Sequence, residues 1–137
     1  MELVLCELSK IIIDEKRQDQ IIVLKEKDGD RQFPIVIGFL EASSIKMELS
    51  GIEAPRPMTH DLVNNIVLGL GAKLERVIID KMVNNTFHAK LELKLRNGRR
   101  KLIDSRPSDG IAVGVRAKAQ IFVEEAVLNE AAIFKAE

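Results

Sequence analysis

Over positions 86–96 the chain alternates apolar and polar residues without a break. Phe87, Ala89, Leu91, Leu93 and Leu95 fall on one side, and His88, Lys90, Glu92, Lys94 and Arg96 on the other. A period of two is that of a β-strand with one buried face. Asn97-Gly98 follows, a pair suited to a type I′ turn because both central residues of that turn need positive φ. The return strand passes through Lys101, Leu102 and Ile103 and ends at Asp104. An earlier hairpin reads QIIVLKEK, Asp28-Gly29, RQFPIVIG. An apolar strand precedes each hairpin, LVLCELSKIII in the first half and LERVIID in the second.

After each hairpin the pattern changes to a helical one. Ala42, Ile45 and Leu49 predict a helix over about 39–50, with Gly51 at the position after its end. Ile111, Ala112 and Val115 predict another over about 107–117. Between the halves, the prolines of APRPM forbid a helix, and a linking helix then runs over about 59–70. It offers Leu62, Ile66 and Leu70 to the core and stops at Gly69/Gly71. A short strand over 120–123 and a terminal helix from about 124 complete the chain. Strand, strand, strand, helix thus occurs twice, which predicts an internal duplication with repeats over about 1–50 and 72–123. The expected fold is one α+β domain over 1–137, with a largely antiparallel sheet, helices packed on it and no βαβ alternation.

Composition narrows the function. A chain of 137 residues with 46% hydrophobic and 31% charged residues can bury a real core. Lys+Arg and Asp+Glu balance at 21 each, so any contact with a polyanion must be local. Cys6 is the sole cysteine, which excludes an intramolecular disulfide and a cysteine-type zinc site, and its apolar surroundings predict a buried, inert thiol. MELVLCEL lacks the basic leader of a secretory signal, and no apolar run approaches the ~20 residues that cross a bilayer. A soluble, cytoplasmic protein is expected, in which the sequon Asn84-Asn85-Thr86 meets no glycosylation machinery.

Candidate chemistry gathers at two helix starts. RPMTHDL (56–62) places Arg56 before a proline and makes Thr59 the expected N-cap, with His60 and Asp61 in the first turn. DSRPSDGI (104–111) repeats the pattern, with Arg106 ahead of Asp109. A guanidinium beside the free N–H groups of a helix start suits a phosphate. Glu41, Asp61, Asp104 and Asp109 stand near strand ends and helix starts. Carboxylates of this kind favour magnesium or manganese, which assist phosphodiester hydrolysis. His60 has the side chain suited to proton transfer near neutrality. Blander roles compete with each of these. Asp61 and Asp109 also complement a helix dipole, each Arg-Pro also suits an exposed loop, and His60 also suits a surface cap. His88 falls on the polar side of its strand and should face solvent. Arg96, Arg99, Arg100 and Lys101 suit protection of a sheet edge. No P-loop, GxGxxG, HExxH, GxSxG or paired CxxC is present.

PIVIGFLEASSI, PRPMTHDLVNNIVLGLGAKLERVIID, TFHAKLEL and IDSRPSDGIAVGVRAKAQIFVEEAVL together resemble the bifunctional nuclease family, over roughly residues 3–130. RPMTHDL and IDSRPSD are the most specific parts. The resemblance implies hydrolysis of both DNA and RNA with little base preference. Val36, His88 and Gly110 depart from the family pattern, at positions where an aromatic, a tyrosine and an alanine are usual. The first two departures remove aromatic faces for base stacking from a chain that has no Trp or Tyr.

The leading expectation is a non-specific, metal-assisted nuclease. Glu41, Asp61 and Asp109 would hold a magnesium or manganese ion, Arg56 and Arg106 would bind the phosphate, and His60, Asp61 and Asp109 would be catalytic. The alternative is a non-catalytic oligomeric module that binds an anionic ligand or a protein partner. There Arg56 and Arg106 would form ion pairs with Asp61 and Asp109, and extra acids such as Glu41 and Asp104 would have no use. A homodimer fits either reading, because a small sheet protein must cover its edges.

Overall fold

The computed structural model describes residues 2–134. In chain order its elements are β1 (Leu3–Ile12), β2 (Asp19–Glu26), β3 (Arg31–Gly38), α1 (Phe39–Leu49), α2 (Thr59–Gly69) and β4 (Lys73–Val83). They continue with β5 (Thr86–Lys94), β6 (Arg100–Ser105), α3 (Pro107–Ala117), β7 (Gln120–Glu124), α4 (Glu125–Ala131) and β8 (Ile133–Phe134). All strands join one sheet in the order β6-β5-β4-β7-β1-β2-β3-β8, with a three-strand meander on each side of β7. Every pairing is antiparallel except that of β4 with β7. The architecture is the expected α+β arrangement with helices packed on the sheet. The sheet curls far enough that Phe33 of β3 and Phe87 of β5 touch, their ring centroids 5.3 Å apart.

The core lies inside this curl. Ile22 and Leu24 of β2, Phe33 of β3, Val77 and Ile79 of β4 and Ala89 of β5 are sealed from solvent, and Ile45, Ile111, Ala112 and Leu128 close it from the helices. Cys6 is buried as expected, and burial pushes its thiol up to about 12. The polar row of β5 behaves less simply than alternation predicted. Glu92 is buried because Arg76 donates to both its oxygens at 2.6 and 2.8 Å, a bidentate pair that offsets the desolvation. His88 is half-buried opposite Lys81 rather than open to solvent.

The turns correct two expectations. Asn97-Gly98 is not a type I′ turn, since Gly98 has φ 84° but Asn97 is not in the left-handed region. Instead Leu95 closes a tight turn by accepting from Gly98 N–H, and Leu95 N–H donates to Arg99, the three-residue loop that ends on a left-handed glycine. β5 therefore ends at Lys94, short of the alternation. Asn84 and Asn85, with φ of 52° and 63°, form the doubly left-handed turn between β4 and β5. Asparagine tolerates that region without glycine's help.

The helices match expectation in place more than in burial. α1 ends on Gly51, whose φ of 71° lets Ile52 N–H reach back to Met47 O at 3.0 Å. It buries Ala42, Ser44 and Ile45, while Leu49 stands out in solvent. α3 buries Ile111 and Ala112 as predicted. α2 differs most, because none of its residues is buried, and Leu62, Ile66 and Leu70 are 52%, 53% and 74% exposed. Its inward side is given to His60, Val63 and Asn64, so the regular apolar spacing describes the outer face.

Candidate functional site

α1, α2 and α3 meet at their N-terminal ends. α3 starts on Pro107, whose fixed φ suits the first helical position, with Arg106 as the N-cap. At α2 the N-cap is Met58 rather than Thr59, and Asp61, three residues on, accepts the Met58 N–H at 2.9 Å. This back-reaching carboxylate anchors the first turn that carries His60.

His60 links the three helices. Its Nε2 lies 2.9 Å from Asp109 Oδ1 on α3, and its Nδ1 lies 2.7 Å from Ser44 Oγ on α1. An ionised Asp109 accepts from Nε2–H, which leaves Nδ1 of the neutral ring to accept the Ser44 hydroxyl proton. The second oxygen of Asp109 accepts from Arg106 Nε at 2.9 Å, and Arg106 Nη2 also donates to Glu41 Oε1 at 3.0 Å. Burial raises the Asp109 pKa, but the His60 and Arg106 contacts outweigh it and hold the carboxyl below its ordinary value. Asp109 in turn raises the Arg106 pKa.

The order Ser44, His60, Asp109 is that of a nucleophile triad, but the geometry serves positioning instead. Ser44 is 7% exposed on the inner side of α1, out of reach of a bulky phosphodiester. Both ring nitrogens of His60 are engaged, so the ring steadies Asp109 and has no free nitrogen to present to a substrate.

Asp61 faces a different partner. Its Oδ1 accepts from Arg116 Nε at 2.6 Å, and the same guanidinium donates to Ala112 O and Ser44 O. The Met58 N–H and then Arg116 hold the Asp61 carboxyl below its ordinary value. The Arg116 side chain is 6% exposed, so this pair is a packed strut between α2 and α3. Sequence reasoning missed Ser44 and Arg116. Helical spacing carried the signal, since Ser44 is one turn beyond Glu41 and Arg116 two turns beyond Asp109 on the same helix faces.

Of the expected site residues, Glu41, His60, Arg106 and Asp109 are therefore brought together. Asp61 is held apart by Arg116. Arg56 is exposed and forms no ion pair among the described residues. Asp104 lies out on β6, bonded to Lys90 at 3.1 Å. Among the described residues no group of three or more His, Cys, Asp or Glu side chains gathers to hold a metal. Glu41, Asp61 and Asp109 accordingly do not fit a shared magnesium or manganese ion as they stand, because Arg106 neutralises two of them and Arg116 the third.

Arg106 also opens onto solvent, with its side chain 67% exposed. It lines a cleft of about 410 Å³ with Pro107 and Ser108 at the start of α3, Gly38 at the start of α1, and Val36 and Phe87. A second basic region lies at the far ends of β4, β5 and β6. Lys73, Lys94 and Arg100 are direct cross-strand partners there, a row of like charges that is unfavourable by itself. Arg100 finds Glu75 and Glu92, whereas Lys73 and Lys94 form no ion pair among the described residues. No helix is long and apolar enough to cross a membrane among the described residues.

Residues 22–136 match the family described as the bifunctional nuclease domain. An uncharacterized protein of Mycobacterium tuberculosis (strain H37Rv) is 38% identical over 123 residues, which are 90% of this chain and 73% of that protein. Bifunctional nuclease 1 of Oryza sativa subsp. japonica is 32% identical over 111 residues, 77% of this chain but 33% of the rice protein. Bifunctional nuclease 1 of Arabidopsis thaliana is 28% identical over 107 residues, again 33% of its own length. The match to the plant nucleases thus spans a third of each.

Proposed function

This chain belongs to the bifunctional nuclease domain family, and on that premise we propose that it hydrolyses phosphodiester bonds of DNA and RNA at the Arg106 cleft. The observation that carries the reading is Arg106 itself, exposed at the mouth of a cleft yet aimed by Glu41 and Asp109. A guanidinium fork matches two phosphate oxygens, and the first-turn N–H groups of α3 favour the same anion. When a phosphate takes the guanidinium, Asp109 Oδ2 is released while His60 keeps hold of Oδ1. The freed oxygen accepts a proton from the water that attacks phosphorus, the P–O bond to the leaving sugar oxygen breaks, and that oxygen takes its proton from solvent. Glu41 returns Arg106 to its place afterwards. Arg56, exposed and without an ion pair among the described residues, takes a neighbouring phosphate, and Lys73 and Lys94 supply the local positive surface that a neutral chain needs to hold a polyanion. Glu41 and Asp109 would meet a magnesium or manganese ion only by giving up Arg106, so these steps use the chain's own side chains. A cytoplasmic setting and a homodimer belong to the same proposal.

The test is cleavage of labelled single-stranded DNA and RNA by the purified chain, with and without magnesium or manganese, beside Arg106→Ala purified identically. Loss of about 10²-fold in the variant, with an unchanged melting curve, supports the reading. Equal cleavage by both proteins would sink it as a contaminant.

A second reading has one specific observation in its favour. Glu41 and Asp104, acids without use in a purely structural network, both have cationic partners, Arg106 and Lys90. In that reading the cluster ties three helices together in a non-catalytic module that binds an anion or a protein. No cleavage by either protein, together with a lower unfolding midpoint for Asp109→Asn, would support it.

A further inference from the structure

α2 turns His60, Val63 and Asn64 inward and an apolar row outward. Val63 packs toward the core and His60 bonds to α1 and α3. Opposite them, Met58, Leu62 and Ile66 fall on one helical stripe, with Leu70 at its end, and each is between 45% and 74% exposed. No charged residue occurs from Leu62 to Ala72, in a chain of which 31% is charged. A continuous apolar row of this length left in solvent marks a face that a partner covers. Gly69 lies in the same stripe, and a Cβ built there would meet nothing within 4 Å, so a second backbone can come close. Beside the stripe runs a groove of about 590 Å³, walled by Ile66, Val67, Leu70, Ala72, Leu93 and Leu95 and also lined by Arg96 and Asn97.

We propose that this face is a twofold interface with a second copy of the chain. A twofold contact uses the same patch on both copies, so the patch must complement itself. The α2 stripe does so because it carries no charge, and the one charged residue of the groove, Arg96, is exposed, so its long side chain can keep the guanidinium in solvent. Ridge and groove also lie side by side on one surface, which lets the Leu62–Ile66 ridge of each copy enter the groove of the other. Stripe and groove walls together expose apolar area on the order of several hundred Å², the size of patch that marks an interface. It is a large share of the ~800 Å² that each partner buries in a standard one. A lipid surface fits less well, since an interfacial helix carries lysine or arginine along its polar side and α2 has neither. Docking would clamp the helix that holds His60 and Asp61, and it stands whether or not the chain cuts phosphodiesters.

Sedimentation or light scattering from about 1 to 100 µM reads the assembly by mass action. Twice the 15.3 kDa chain mass is expected, with Leu62→Glu raising the dimer Kd by about 100-fold or more while its circular dichroism stays unchanged. A cysteine cross-link locates the face, since Cys6 is buried and leaves no competing thiol. Asn65→Cys, beside the stripe, should oxidise to a covalent dimer, and Val36→Cys on β3 should not. A monomer at every concentration would overturn the proposal. So would a dimer that survives Leu62→Glu and cross-links through Val36→Cys alone.

Discussion

α2 and α3 are both 11-residue helices that begin in the same cluster, yet α3 buries seven residues and α2 none. Glycine accounts for much of the contrast. A Cβ at Gly114 would come within 2.8 Å of Val77 Cγ2, and one at Gly110 within 3.2 Å of Leu91 and Val77. α3 lies on β4 and β5 because those two positions carry no side chain. α2 has bulky residues on both sides and meets the rest of the chain through Val63 and the polar residues His60, Asp61 and Asn64. One helix is therefore part of the scaffold, and the other is a carrier for side chains whose apolar side is left for a partner.

The contrast breaks most readily at matched isoleucines. Ile111→Ala should cost about 3 kcal/mol by urea unfolding, since a sealed side chain leaves a cavity. Ile66→Ala, at concentrations where the chain is monomeric, should cost less than about 1 kcal/mol. Equal costs would make α2 as much a core element as α3.

Asp61→Asn comes next and probes the strut between the two helices. Removing the charge leaves buried Arg116 without its partner, at a cost of about 2 kcal/mol, reduced because Asp61 is partly exposed. The pH dependence has a definite sign. Asp61 and Asp109 have native pKa values below the ordinary ~4 of a carboxyl. Their contribution is complete above that value and is lost as pH falls through the depressed native values. The unfolding midpoint should drop on acidification below about pH 4, and drop less in Asp61→Asn. An unchanged acid limb in that variant would remove Asp61 from the account.

Smallest is Gly110→Ala. The tighter contact with Leu91 and Val77 opposes the better helix propensity of alanine, so the net change in unfolding free energy should stay within about 1 kcal/mol. A larger loss would show that α3 sits against the sheet with no slack.

The contrast itself was not legible in advance, but much of the frame around it was. The strict alternation of β5, the glycine end of α1 and the Pro107 start of α3 are short-range signals, and each element forms on its pattern, although β5 stops at Lys94 before the alternation ends. That Glu41, His60, Arg106 and Asp109 gather was also legible, through residue type and position at helix starts, whereas Asp61, expected among them, is held apart by Arg116. The pairings of Ser44 with His60 and of Arg116 with Asp61 were not legible, because helical spacing puts each on the right face of its own helix but does not say which residue of another helix it meets. The turn between β4 and β5 was missed for a related reason. Two asparagines in a row have the chemistry for positive φ, but the pair also suits an ordinary loop until β4 and β5 are seen to pair across it.

Periodicity, turn residues and helix ends were settled by the sequence itself, since each depends on the backbone preferences of a few neighbouring residues. Tertiary structure alone decided which face of α2 turns inward, which carboxylate receives which guanidinium, and how the sheet curls to bring β3 onto β5. Those outcomes depend on contacts between residues far apart in the chain. At α2 the hydrogen bonds of His60 and Asp61 draw the polar side of the helix inward, and Leu62, Ile66 and Leu70 are left facing out.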